Sequence, residues 1–102
     1  MNDTDTSIRH EQRVEILRQI GRMDRLAVDG GRPAAPLDRG VRLTCGNGYR
    51  VDIILDPSDT YTVRRVFVRG AREWIKGERT DVYWPDLSET VYRAGMFRDE
   101  WT

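Results

Sequence analysis

One cysteine, one histidine and one lysine are all that 102 residues offer of three chemically useful side chains. A lone Cys45 excludes an internal disulfide framework and any cysteine-rich zinc site. A lone His10 leaves a Cys45–His10 pair as the one nucleophile–base combination available. That pair would have to meet across the fold and lacks an orienting third member. Cys45 reads more simply as a small apolar residue beside a turn. The segment MNDTDTSIRHEQ is polar, and no long apolar run occurs anywhere. Neither a signal peptide nor a transmembrane helix is therefore expected, and the expected compartment is the cytoplasm. Net charge is missing too: 17 basic residues balance 17 acidic ones, which argues against nucleic-acid or membrane binding by bulk charge. The chain has no internal repeat and no low-complexity tract.

What is abundant is arginine, with Lys76 as the one other cation. Arginine binds phosphate and carboxylate bidentately, but a GC-rich genome favours its codons as well, and arginine content alone identifies no site. The apolar fraction of 38% permits one core, so residues 1–102 are expected to form a single domain.

Residues 1–6 are polar and expected to be disordered. From Ser7 to Met23, Ile8, Val14, Ile16, Leu17, Ile20 and Met23 recur mostly at spacings of three and four. This predicts an amphipathic helix, with Asp5, Thr6 or Ser7 as its cap and Gly21 at its fraying end. RLAVDGG, residues 25–31, reads as a short strand entering a glycine turn. Two prolines and no periodicity make the stretch from 30 to 40 a loop. VRLTC then alternates, Asn47-Gly48 suits a type I′ turn, and YRVDIIL alternates again with Tyr49, Val51, Ile53 and Leu55 inward and Arg50 and Asp52 outward. Asp56 to Asp59 form a type I turn. TYTVRRVFV and EWIK supply two more strands. A helix begins between Thr80 and Pro85, capped by Thr80 or Asp81, with Tyr83, Leu87, Val91 and Ala94 on one side and Met96 and Phe97 beyond. The expected fold is α+β: an antiparallel meander of about five strands, with an N-terminal and a C-terminal helix packed on one face.

Residues 60–79 hold six basic side chains against two acidic ones, with Tyr61, Phe67 and Trp74 between them. Strict alternation would give each face of the strand one arginine among apolar neighbours. A β-bulge at Arg64–Arg65 would instead turn Tyr61, Val63, Val66 and Val68 to the core together, and it is the preferred register. The acidic segment 81–102 offers a bland explanation for the hairpin's charge, through internal ion pairs of small value. The alternative is a recognition surface in which Arg64, Arg69, Arg72 and Lys76 supply charge and Trp74 a flat anchor. Trp74 packed on Phe67 is the competing placement. Elsewhere the chemistry is thin. Asp52, Asp56 and Asp59 lack the ordered spacing of a calcium loop, and Asp56 and Asp59 suit turn capping. Asp29 to Arg32 (DGGR) has neither the lysine nor the following helix of a phosphate loop. No catalytic residue, metal or cofactor is expected.

Taken together, ILRQIG, GYRVDIILDPSDTYTVRRVFVRG, KGERTDVY and VYRAGMF resemble a group of short uncharacterised proteins encoded by tailed bacteriophages and prophages of GC-rich, actinobacterial hosts. The resemblance spans about residues 14–97. Gly21-Arg22 stands where a glycine pair is often seen, and Trp84 where a cysteine is expected. It implies a setting, not an activity. The expected function is thus that of a small non-enzymatic accessory protein, binding a host or phage protein in the infected cell's cytoplasm. Nucleic-acid binding by the hairpin is one alternative, and small-nucleotide binding near Asp29–Arg32 another. The sequence leaves the oligomeric state open, a homodimer included.

Overall fold

The computed structural model describes residues 3–96 of the chain, with side chains from His10 onward. Helix α1 (Asp3–Ile20) is followed by α2 (Arg22–Asp29), then strands β1 (Ala35–Leu37), β2 (Gly40–Thr44), β3 (Tyr49–Leu55), β4 (Tyr61–Arg69) and β5 (Arg72–Val82), and helix α3 (Trp84–Met96). The strands lie in chain order in one antiparallel sheet. This is the expected α+β meander, with α1 and α3 on one face. Ile16 and Ile20 of α1 and Leu87, Val91 and Ala94 of α3 pack on Val41, Leu43, Val51, Ile53, Tyr61 and Val63 of the sheet. Burial of such a set is the main driving force for the fold.

Several local expectations change. Residues 3–6 belong to α1, so Asp5, Thr6 and Ser7 lie inside the helix and do not cap it. Gly21 ends α1 with φ +89°, a conformation that side-chain-bearing residues rarely adopt. The predicted strand at 25–31 is helix α2. Its last turn closes on Gly30, whose N–H donates to Leu26 O at 2.9 Å, and Arg25 and Asp29 pair at i,i+4. The expected first strand is β1 instead, three residues inside the presumed loop. An edge position tolerates Pro36 there, because its missing N–H breaks no inner ladder. Val14 and Met23, assigned to the apolar stripe of the first helix, are 41% and 79% exposed. Thr80 and Asp81 lie in β5 and do not cap α3, while Pro85 sits in its first turn as expected. Tyr83 is 62% exposed and off the buried side. Phe97 falls outside the described residues.

The turns hold the register. Asn47 and Gly48 both have positive φ, as a type I′ turn requires. Arg13 of α1 pins the β1–β2 turn by donating from Nη2 to Leu37 O at 2.5 Å and from Nε to Gly40 O at 3.2 Å. At Gly40 the strands approach so closely that a Cβ would lie 1.8 Å from the Ile53 carbonyl oxygen.

The expected bulge in β4 is absent. β3 and β4 pair without interruption from Tyr49↔Phe67 to Leu55↔Tyr61. Both irregularities fall where β4 meets β5, and the extra residues are in β5: one at Lys76, the other at 80–81. β4 therefore alternates strictly. Arg65, not Val66, joins Tyr61 and Val63 on the helix side, at 2% exposure, while Val66 is buried on the opposite face. The arginine is tolerated there because its Nε donates to Ala94 O at 2.8 Å and its Nη2 to Arg93 O at 3.4 Å, at the end of α3. Among the described residues those carbonyls have no helical N–H four positions on, and they sit toward the negative end of the helix dipole.

Candidate functional site at the β4–β5 hairpin

Strict alternation along β4, with its cross-strand partners on β5, sorts the hairpin into two unlike faces. On the face away from the helices lie Arg64 opposite Glu78, Val66 opposite Ile75, and Val68 opposite Glu73. Arg64 Nε contacts Glu78 Oε2 at 2.5 Å. Glu73 is held by Arg42 of β2, whose Nη1 reaches Glu73 Oε1 at 2.5 Å. The same guanidinium grips Asp52 of β3 bidentately, Nε to Oδ1 at 2.7 Å and Nη2 to Oδ2 at 2.9 Å. Asp52 first, and Glu73 after it, hold the Arg42 guanidinium well above its ordinary value. These side chains and Ile75 frame a depression of about 250 Å³ over Val66. Asp52, expected in solvent, is 6% exposed beneath this network.

The helix-side face carries the opposite chemistry. Tyr49, Phe67 and Trp74 form a row across three strands, with ring centroids 5.2 Å apart for Tyr49–Phe67 and 5.8 Å for Phe67–Trp74. Trp74 is thus backed by Phe67 and still 40% exposed; the two placements considered for it are combined. Arg69 and Arg72 face each other beyond this row at the hairpin tip. Lys76 is the displaced residue of the bulge. All three cations are exposed, and among the described residues none of them has an ion-pair partner.

The structure therefore brings Arg69, Arg72, Trp74 and Lys76 together and separates Arg64, which lies on the other face bound to Glu78. Neutralisation by the C-terminal acids is not what is seen within the described residues: Glu89 pairs along its own helix with Arg93 at 3.2 Å, and Asp81 and Asp86 pair with no arginine. Asp99 and Glu100 lie outside them.

The remaining candidates are placed as follows. His10 is exposed on α1 and Cys45 is buried in the core. Asp56 accepts a hydrogen bond from Thr62 Oγ1 at 2.7 Å, and Asp59 sits in the turn with φ +65°. Asp29 is turned inward at 1% exposure. It accepts from Arg25 Nε at 3.0 Å and from the Gly31 N–H at 2.7 Å, so its carboxylate closes the end of α2. The Arg42–Asp52 pair is not legible in the sequence: a turn centred on Asn47-Gly48 would set Arg42 opposite Ile53, and it is the extra residue Gly46 that brings Asp52 opposite it. Comparison with protein-family models, with curated proteins and with solved structures finds no match to this chain.

Proposed function

We propose that this protein is a non-enzymatic binding module, an accessory protein of phage type working in the cytoplasm of the infected bacterium. Its partner is a host or phage protein with an acidic surface, met by the tip of the β4–β5 hairpin. One observation carries this reading. Glu73 and Glu78 of β5 face away from the helices, bound by Arg42 and Arg64, which leaves Arg69, Arg72 and Lys76 without an ion-pair partner among the described residues, around a half-exposed Trp74. Arginine and tryptophan are the residues most enriched at binding hot spots, and an unpaired cationic patch speeds encounter with an acidic partner. The setting rests on the resemblance of the sequence to phage proteins.

A second reading has its own support. Trp74, tilted against Phe67, is a ring on which an unpaired base could lie, with arginines beside it for phosphate. Three cations make a small footprint for backbone binding, which favours the protein partner.

The test compares the wild type with Arg69→Glu/Arg72→Glu in quantitative co-purification from host lysate, beside a single-stranded RNA and DNA titration at two salt concentrations. The protein reading expects a defined partner to be lost at least roughly tenfold in the double variant, with folding unchanged. Equal recovery by both proteins overturns it. Salt-sensitive binding of the probe by the wild type alone favours the nucleic acid.

A further inference from the structure

We infer that the groove between α1 and α2 binds a small organic anion with an apolar body, a phosphate or carboxylate joined to a short hydrocarbon. The groove has a volume of about 640 Å³, within the range of small-molecule sites, roughly 300–1,000 Å³. Its aliphatic wall is Val14 and Leu17 of α1 and Leu26 of α2. Val14 and Leu26 remain 41% and 44% exposed, which is apolar surface the fold leaves uncovered.

Three arginines border this wall. Arg18, Arg22 and Arg25 follow one another at spacings of four and three, and the turn at Gly21 carries them from one helix to the next. Arg25 is held in place by the buried Asp29 carboxylate and by Arg32 O at 3.3 Å. Those two bonds leave further guanidinium donors unused. Arg22 has no ion-pair partner among the described residues. Arg18 has a single long contact, 3.5 Å to Glu15, with its side chain 74% exposed. Asp29 is the one carboxylate in the lining, and Arg25 and the Gly31 N–H already engage it. The groove is therefore cationic on one side and aliphatic on the other, and its complement is an amphiphilic anion.

Length selects a small ligand over a helix of another protein. The eight residues of α2 span about 12 Å, too little for a partner helix of several turns. The hydrocarbon would lie on Val14, Leu17 and Leu26, and the anionic head would bridge Arg22 and Arg25, with Arg18 closing from α1. This site is separate from the hairpin tip and does not depend on the reading given for it.

The probe is octyl phosphate below its micelle concentration, titrated into the full ¹⁵N-labelled chain and followed by amide shifts. Inorganic phosphate, 1-octanol and octanoate are run beside it. The expected result is saturable binding with shifts confined to residues around Val14, Leu17, Gly21, Arg22 and Leu26, at least roughly tenfold tighter than phosphate or octanol alone. Octanoate matching octyl phosphate assigns a carboxylate head, and a weaker octanoate assigns phosphate. Arg18→Ala/Arg22→Ala should weaken binding about tenfold with an unchanged melting temperature, since both side chains are exposed and brace nothing. Shifts scattered over the surface or centred on the hairpin tip, an affinity no better than that of phosphate, or an unaltered affinity in the double variant would overturn the inference.

Discussion

Arg65 lies in the middle of the sheet and donates from Nε to the carbonyl of Ala94, 29 residues later, at 2.8 Å. A charged side chain at 2% exposure thereby ties the last turn of α3 to β4. Arg65→Ala would leave carbonyls of that turn without their donor and open a void beneath them. A loss of about 2–4 kcal/mol is expected. Arg65→Lys should recover part of it, keeping a charge at the helix end but not the planar fork. Urea denaturation of both variants measures this; an unchanged midpoint for the alanine would show that the helix end holds without the arginine.

Gly40→Ala is expected to be among the most damaging small substitutions in the chain. The added methyl would meet the Ile53 carbonyl at 1.8 Å and the Ile54 Cα at 3.0 Å. Backbone cannot rotate away as a side chain can, so β2 and β3 must part. A loss of roughly 3 kcal/mol or more is expected, read as a fall in melting temperature of ten degrees or more.

Tyr61 links stability to alkaline pH. Its hydroxyl donates to Gln19 Oε1 at 2.8 Å, and burial, with Glu15 nearby, pushes its pKa above the ordinary value. The folded state therefore resists ionisation more than the unfolded chain does. The stability this represents is fully present below about pH 10 and is lost as pH rises through the folded value. Tyr61→Phe should cost about 1 kcal/mol at pH 7 through the lost hydrogen bond, and it should flatten the decline above pH 10. Denaturation curves at pH 7, 9.5 and 11 test both parts; parallel declines in the two proteins would contradict the assignment.

Trp74→Ala separates packing from recognition. Its contact with Phe67 is partial and its edge is in solvent, so a stability loss near 1 kcal/mol is expected. Partner binding should fall by more, roughly tenfold or beyond, as for a central anchor. Calorimetry with the purified partner decides, and a drop in stability without a drop in affinity would place Trp74 outside the interface.

The elements read correctly from sequence are those whose information is local. Val41, Leu43 and Cys45 alternate before Asn47-Gly48 and Tyr49 to Leu55 after it, and the extra residue Gly46 brings the two alternations onto one face. Helix α2 is too short to display a helical period, and Leu26 and Val28 happen to alternate as a strand would. Pro33 and Pro36 hide β1, because a three-residue edge strand needs little more than a neighbour to pair with. The burial of Arg65 is not legible in the sequence, because its partners lie 28 and 29 residues away at the end of a helix and no local pattern announces them. At the candidate site the residue types were legible. Which arginines would find a carboxylate was not, since that depends on cross-strand register and on where β5 bulges.

Those bulges in β5 also shape the open edge of the sheet. β5 is the last strand of the sheet and eleven residues long, and among the described residues only β4 pairs with it. An open edge of that length is ordinarily a template for further strands. Here the ladder is interrupted at Lys76 and again at 80–81, where Asp81 takes a left-handed φ of +55°. The longest regular stretch of its ladder is the four residues from Arg72 to Ile75. Among the described residues no other strand pairs with this edge, so the two bulges alone limit its regularity, with Trp74 and Ile75 exposed beside the first of them.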